Sequence, residues 1–337
     1  MAKGGVTSED VARLAKVSQS AVSRAFTPGA SVSGPTRARI FAAAQALGYR
    51  PNRLARAMIS GHSRLIALLV AYLDNQFYPV VLEKLSRRLQ EAGYHVLLFM
   101  TDPGDQDRVV REILEYQVEG IVLASATLSS SLASECAKTG IPVVLFNRTV
   151  PSSPASSVTS DNVEGARMLA HLMAENGHRR VAFIAGHEDA STSRDREAGF
   201  FKGLGECGMA VWARAVGGFT FAGAAAATHA LFADPSNRPD AVFVANDHMA
   251  FSVMDVLRAV YGLRIPEDVS VAGYDDVPEA AWAGYSLTTV EQPSDAMIDA
   301  TVAILIEQIE DRVVTRQAAV LPARIVVRSS VRIRALP

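Results

Sequence analysis

The sequence reads as an α/β protein: an N-terminal three-helix, helix-turn-helix head, a linker helix, and a body of two lobes, each a doubly wound parallel sheet. Three features carry this reading. Residues 7–26 hold two short amphipathic patterns separated only by Lys16, Val17 and Ser18. Residues 1–64 carry ten Lys or Arg against Glu9 and Asp10, a net of +8, while the other 23 basic and 33 acidic residues put the remainder at −10. From residue 65 onward, short aliphatic runs alternate with helical patterns in two successive rounds.

In the head, Val11, Leu14 and Ala15 fall on one apolar face of the first helix, and Val22, Ala25 and Phe26 on one face of the second. The short turn between them crosses the pair steeply. Ser18 is placed to cap the second helix and Ser33 the third, with Pro35 in the first turn of the third. Tyr49-Arg50-Pro51-Asn52 should stop the third helix, because Pro51 disfavours helical geometry at Arg50. A basic module on an acidic body is the footprint of a protein that meets nucleic acid with one end. A solvated basic face is the competing explanation, but here the charge coincides with helix-turn-helix spacing.

The body's runs LIALLV (65–70), HVLLF (95–99), GIVLA (120–124) and PVVLF (142–146) read as buried parallel strands, with helices over Tyr78–Ala92, Gln106–Tyr116 and Ser129–Thr139. After Asp161-Asn162 the cycle restarts: a helix from Val163, RVAFIAG (180–186), a helix past Arg196, DAVFVAN (240–246), a helix from Asp247, and VSVAGYD (269–275). The chain is long enough for a small head and two lobes. No secretory signal pattern opens it, and the uncharged stretch Ala215–Ala233 is broken by glycines, threonines and a histidine, an alanine-rich loop and helix rather than a membrane span. Cys136 and Cys207 lack ligand-spaced partners, which suggests packing roles in a reducing cytosol and gives no metal site.

Open parallel sheets bind small molecules beyond the carboxyl ends of their strands. The residues there are Phe77 and Tyr78, Ser125, Asn147 and Arg148 from the first lobe, and Arg196, Phe219, Asn246 and Asp275 from the second, with Gln292 at the crossover back. Arg, Asn, Asp and Gln offer oriented donors and acceptors for vicinal hydroxyls, and a Phe face suits a sugar ring. Asn246 and Asp275 could instead simply cap the segments that follow them. Arg148 beside Arg196 adds a second cation and tilts the ligand toward a sugar acid or phosphorylated sugar, unless Arg148 points to solvent or pairs with a surface carboxylate. Catalytic constellations are thin. His178 sits in a helix-end loop, Asp247-His248 has no nucleophile elbow, GGFTFAG (217–223) lacks nucleotide-loop spacing, and Asp275-Asp276 has no second ligand cluster. The reading is therefore no enzyme and no cofactor.

DVARLAKVSQSAVSRAF, GYRPNRLARAM, GYDD and LTTVEQP together resemble the LacI-type family of transcriptional regulators, over essentially the whole chain. The resemblance implies a helix-turn-helix head over 1–51, a hinge helix over 52–62, and a periplasmic-binding-protein-like effector and dimerisation domain over 63–337. It divides that domain into a lobe of about 63–162 and 293–322 and a lobe of about 163–292 and 323–337, with helix Ser294–Asp311 returning to the first and IVVR (325–328) finishing the second. It assigns DNA contacts to Thr7, Ser18, Gln19, Ser20, Ser23 and Arg24, and to Asn52, Leu54, Ala55 and Met58 of the linker. It assigns effector contacts to Arg196 of R196EAGF200, to the Asn of A245-N-D and to the first Asp of GYDD. The implied protein is a cytoplasmic, effector-controlled repressor of a carbohydrate or sugar-acid operon, bound as a homodimer to a pseudo-palindromic duplex operator, with no membrane partner. The chain stops soon after the last strand with no heptad tail, which makes a dimer the default. Two other readings remain open at this stage, a sugar carrier of periplasmic type and a sugar-processing enzyme. The chain departs from the family in three places: Lys16 where Gly is usual, Met58 where Leu is usual, and Asn147 where many sugar-sensing relatives have Asp. If the Lys16 turn needs positive φ, lysine there costs on the order of 1 kcal/mol. The linker, Arg53 to Ser60, is too short to hold a helix alone and is expected to fold on DNA, with Met58 as a minor-groove wedge.

Overall fold

The computed structural model describes residues 6–27, 29–50, 62–102, 104–125 and 129–334. The linker positions Asn52, Leu54, Ala55 and Met58 lie outside these. The chain divides into two compact units, Met1–Ser63 and Arg64–Pro337.

The first unit holds α1 (Ser8–Ala15), α2 (Gln19–Ala25) and α3 (Gly34–Leu47). Thr7 and Asp10 close a capping box on α1, each side chain bonding the other's backbone N–H. Ser18 Oγ caps α2 by accepting from the Ala21 N–H at 3.2 Å. Ser33 stands at the N-cap of α3 but its hydroxyl turns to Thr36 Oγ1 instead, so Pro35 and the backbone alone start that helix. The end of α3 also differs from expectation. Gly48, at φ 66°, terminates it before Arg50-Pro51, the usual left-handed glycine stop. Val11, Ala12, Ala15, Val22, Ala25, Ile40, Ala43 and Ala44 form the small core. Leu14 is not part of it; at 52% exposed it lies just outside the narrow face that α3 covers.

Lys16 does adopt the left-handed conformation, φ 53° and ψ 51°, in the turn between α1 and α2. Lys16→Gly is therefore expected to stabilise the head by about 1 kcal/mol. Slower amide exchange at Val11 and Val22 would register the gain; unchanged exchange would mean that the turn relaxes at no cost.

In the second unit the first sheet comprises β1 (Leu65–Val70), β2 (His95–Met100), β3 (Gly120–Ala124), β4 (Val143–Phe146), β5 (Ser156–Ser160) and β11 (Ala318–Leu321), in the order β11-β5-β4-β3-β1-β2 and parallel throughout. The second comprises β6 (Val181–Ala185), β7 (Ala213–Val216), β8 (Ala241–Val244), β9 (Ser270–Asp275), β10 (Thr288–Glu291) and β12 (Arg324–Val326), ordered β12-β10-β9-β8-β6-β7. It is parallel except for β12, which runs antiparallel along β10. Helices α4 (Phe77–Glu91), α5 (Gln106–Leu114) and α6 (Ser130–Lys138) connect the first sheet, and α7 (Asn162–Glu175), α8 (Ser191–Glu206), α9 (Phe221–Phe232) and α10 (Asp247–Ala259) the second. The long α11 (Ser294–Asp311) packs on α4, β4, β5 and β11, all of the first lobe.

β2 corrects the reading of HVLLF as a buried strand. It is a sheet edge, with Leu98 52% and Met100 50% exposed. Four strands, β5, β7, β10 and β11, carry no aliphatic run strong enough to have been read as strands. The R196EAGF200 segment has a packing reason beyond any ligand. A Cβ on Gly199 would overlap the Val163 carbonyl, so glycine lets α8 lie directly on α7, while Phe200 packs on Phe243 with ring centroids 4.8 Å apart and tilted by 51°.

Candidate functional site

On the head, α2 presents Gln19, Ser20, Ser23 and Arg24 to solvent, with Ser18 and Thr7 exposed at the two helix starts. Gln19 Nε2 reaches Ser8 Oγ at 2.9 Å, and the Ser18 and Ser20 hydroxyls share a bond of 2.9 Å. Arg24 Nε donates to the Ser20 carbonyl at 3.3 Å, which lays the side chain along the helix and leaves the guanidinium end unpaired with any carboxylate among the described residues. A short helix with an exposed polar and cationic face, fixed by a buried opposite face, is the element that enters a major groove.

In the body, the strand ends gather between the two sheets. Ser125, Asn147 and Phe219 follow β3, β4 and β7, Asp275 ends β9, and all four have positive φ, of 62°, 58°, 59° and 128°. Positive φ at non-glycine residues costs on the order of 1–3 kcal/mol each and collects at functional sites. Here it turns the chain sharply at the end of each strand, and brings Ser125 and Phe219 to the cleft.

The cleft encloses a cavity of about 340 Å³, within the range of small-molecule sites. Ser125, Arg148 and Phe219 line it, with Tyr72, Gln106, Asp189 and Thr220 among the others. Phe77, Asp275 and Gln292 line a second, smaller cavity of about 200 Å³. Tyr78, Asn147, Arg196 and Asn246 line neither, and are buried. The ten residues singled out from sequence thus occupy two cavities and the packed layer around them.

That layer is built around Arg196, which is 2% exposed. Its Nε donates to Asn162 Oδ1 at 2.8 Å, Nη1 to the Ala245 carbonyl at 2.6 Å, and Nη2 meets Asp275 Oδ1 at 3.3 Å. The guanidinium lies 3.8 Å over the Tyr274 ring. Three of the five N–H groups of an arginine are thus spent on the protein's own acceptors. Asp275 in turn accepts from Gln292 Nε2 at 2.7 Å, and Gln292 Oε1 accepts from Ser160 Oγ at 3.0 Å. Asp275 caps no helix. Asn246 does: its Oδ1 accepts from the Met249 N–H at 3.0 Å, starting α10. The other half of its amide, Nδ2, is buried without a partner, as is Asn147 Oδ1.

Arg148 neither points to solvent nor pairs with a surface carboxylate. It is 4% exposed and donates across the cleft to Thr192 Oγ1 at 3.0 Å, as well as to Tyr72 Oη at 3.1 Å. The Thr149 N–H to Ser191 Oγ (3.0 Å) and His248 Nδ1 to Gln76 Oε1 (3.3 Å) contacts also join the lobes. Tyr72, Ser191 and Thr192 were not singled out from sequence. Tyr72 lies two residues beyond β1, where the strand-end rule could have found it.

Asp247, fully buried beside this layer, accepts from Thr289 Oγ1 at 2.6 Å and from the Val277 N–H at 3.0 Å. Burial, reinforced by the charge of Asp275, lifts its carboxyl far above the usual carboxylate range. Burial raises Asp275 too, against the opposing pull of Arg196. A folded-state pKa above the unfolded value of about 3.9 means that the native state binds the extra proton, so this stability is present at low pH and declines as pH rises through that window. Wild type is expected to lose stability between about pH 5 and pH 7.5, by at most about 1.4 kcal/mol per pH unit for this one proton, and Asp247→Asn to flatten the slope. Urea denaturation across that range measures both; equal slopes would show Asp247 to be ionised in the fold.

Among the described residues no group of three or more His, Cys, Asp or Glu side chains could hold a metal, and no helix is long and apolar enough to cross a membrane. Cys136 is buried and its thiol is pushed up to about 11, which leaves it unreactive as packing.

Comparison with known proteins bears on both units. Residues 7–52 match the model for bacterial regulatory proteins of the lacI family, and residues 170–331 the periplasmic binding protein-like domain. The HTH-type transcriptional repressor PurR of Photobacterium profundum is 30% identical, covering 97% of this chain and 98% of its own. The structure of a transcriptional regulator CelR–cellobiose complex matches with TM-score 0.72 at 32% identity, over 96% of this chain and 99% of that one. The lac repressor dimer bound to operator and the anti-inducer ONPF matches with TM-score 0.86 at 27% identity, over 97% and 99% of the two chains. With a short helix presenting a polar and cationic face on its head, a ligand-sized cleft in its body and full-length similarity to such regulators, the chain belongs to the lacI family of bacterial transcriptional regulators.

Proposed function

We propose that this regulator is a cytoplasmic repressor of carbohydrate or sugar-acid utilisation genes, binding a pseudo-palindromic duplex operator as a homodimer and switched by a small polyhydroxylated ligand held between the lobes. The reading rests above all on the cleft, whose walls set the buried guanidinium of Arg148 and the hydroxyls of Tyr72 and Ser125 beside the aromatic ring of Phe219. Hydroxyl groups both give and accept hydrogen bonds, so a polyhydroxylated ligand can meet these polar groups while its ring covers the aromatic face. CelR with cellobiose and the lac repressor dimer on its operator support the sugar and the dimer respectively. Apolar surface fits a dimer on both lobes: Leu98 and Met100 on the edge strand, Phe221 and Trp282 on the second lobe, each exposed. Ser18, Gln19, Ser20, Ser23 and Arg24 would meet bases and phosphates, with Thr7 and the linker residues on the flanking backbone and minor groove. The proposed role is binding and release, without catalysis.

A thermal-shift screen of sugars and sugar acids, followed by operator binding with and without each hit, tests the reading. A hit that changes operator affinity is the expected result. Hits that leave operator binding untouched would detach the cleft from regulation.

A further inference from the structure

Arg148 is a buried cation whose donors rest on neutral oxygens. Its Nη1 donates to the Asn147 carbonyl (2.7 Å) and Thr192 Oγ1 (3.0 Å), its Nη2 to Tyr72 Oη (3.1 Å). The Phe219 ring lies alongside, 5.8 Å from the guanidinium carbon. Arg196 is buried to the same degree, but its charge is met by Asp275. Asp275 is also the carboxylate whose field reaches Arg148, and it is shared with Arg196, which feels Asp195 as well. Asp247 adds no compensating charge while it holds its proton. Asp74 and Asp189 line the cavity as well, but both are exposed, where water screens them. The inner wall of the cavity is therefore left with an excess positive charge that has been taken out of water, and desolvating a charge is costly unless a partner balances it. Tyr78 bonds the guanidinium as well, so little of its five-donor fork is left over, and that fork matches an oxyanion.

We propose that the ligand of this cleft carries an anionic group, a carboxylate or phosphate on a small polyhydroxylated frame, and that Arg148 is the residue that selects it. The proposal rests on the reading of the cleft as the effector site.

The test uses the full chain and matched probes at constant ionic strength: glucose, gluconate and glucose 6-phosphate; galactose and galacturonate; and inorganic phosphate against chloride. Calorimetry and thermal shift are read in wild type, Arg148→Gln, Arg148→Lys and the cavity-filling Ala190→Phe. Phosphate is expected to raise the melting temperature of wild type above that of Arg148→Gln, and an acidic probe to bind at least about tenfold more tightly than its neutral partner, the ratio lost in Arg148→Gln and partly kept in Arg148→Lys. Gluconate and glucose 6-phosphate separate carboxylate from phosphate. If Arg148→Gln fails to fold, the wild-type ratio of acid to neutral probe decides alone. A neutral sugar that binds as tightly as its acid, and whose binding Ala190→Phe abolishes, would overturn the anion proposal and keep the cleft. Binding of any probe that survives Ala190→Phe would overturn both, and no response to phosphate or any acid would overturn the anion proposal.

Discussion

Replacing Arg196 by alanine is expected to cost about 3–5 kcal/mol of folding stability, because it removes the direct ion-pair partner of the buried Asp275 and leaves only the field of Arg148 to oppose that charge. The loss reaches further than one ion pair. Asn162 Oδ1 and the Ala245 carbonyl lose their donor, and the Tyr274 ring loses the cation stacked on it. Asn162 opens α7 and Ala245 follows β8, so both strand-to-helix junctions should loosen with them. Arg196→Lys should recover little, since a single ammonium cannot span three acceptors placed around a planar fork. Pairing Arg196→Met with Asp275→Asn should be milder than Arg196→Ala alone, because neither charge is then stranded. Urea denaturation ranks these variants, and ligand-dependent operator binding at low temperature shows whether the folded fraction still responds. A wild-type unfolding midpoint for Arg196→Ala would mean that the residue acts only on ligand and that the network around it carries no stability.

How much of this was readable beforehand depends on where burial comes from. LIALLV and DAVFVAN announce central strands because both faces of a parallel sheet are covered, which demands unbroken aliphatic runs. SSVTS does not, yet β5 is buried throughout; two of its four hydroxyls are met by Gln308 Nε2 and the Gln317 N–H at Ser156 and by Gln292 at Ser160, partners far along the chain. HVLLF has the right composition and the wrong position, since nothing in a strand's own residues says that it will be the last in the sheet. Leu14 fails in the same way, one step around a helix from the face that is covered.

The site shows a similar division. The rule that ligands gather at strand carboxyl ends located Ser125, Asn147, Phe219 and Asp275, but not the positive-φ backbone that turns each of them. Thr192 reads as an ordinary helix-start residue until the first lobe places Arg148 against it. The direction of Arg148 itself could not be decided from its neighbours in sequence, because Tyr72 and Thr192, which hold it, come from opposite lobes. These inter-lobe bonds also mark what a ligand must compete with or reinforce. A molecule bound between the lobes shifts their arrangement only by its difference in affinity for the two states, and the Arg148–Thr192, Thr149–Ser191 and Gln76–His248 contacts belong to this one.

Arg24→Ala should separate sequence reading from simple attraction to DNA. Arg24 is exposed on α2, one turn from Ser20, whose carbonyl takes its Nε and leaves the two Nη groups without a carboxylate partner among the described residues. An arginine held in this way can bridge guanine O6 and N7, a contact worth about 1–3 kcal/mol of discrimination. In a dimer with two heads on two half-sites the loss counts twice, about 2–6 kcal/mol if the heads act independently. On random duplex the same change removes one cation per head from a strongly basic module, so binding there should weaken only modestly and with a shallower salt dependence. Ala25 and Val22 on the buried face keep the helix in place without Arg24, so the fold of the head should be unaffected. Fluorescence anisotropy on an operator selected in vitro by the wild-type chain, against a scrambled duplex of equal length at several salt concentrations, gives both affinities. Parallel losses on the two duplexes would make Arg24 a phosphate contact and move base reading to Gln19 and Ser20, the remaining exposed side chains at the start of the helix.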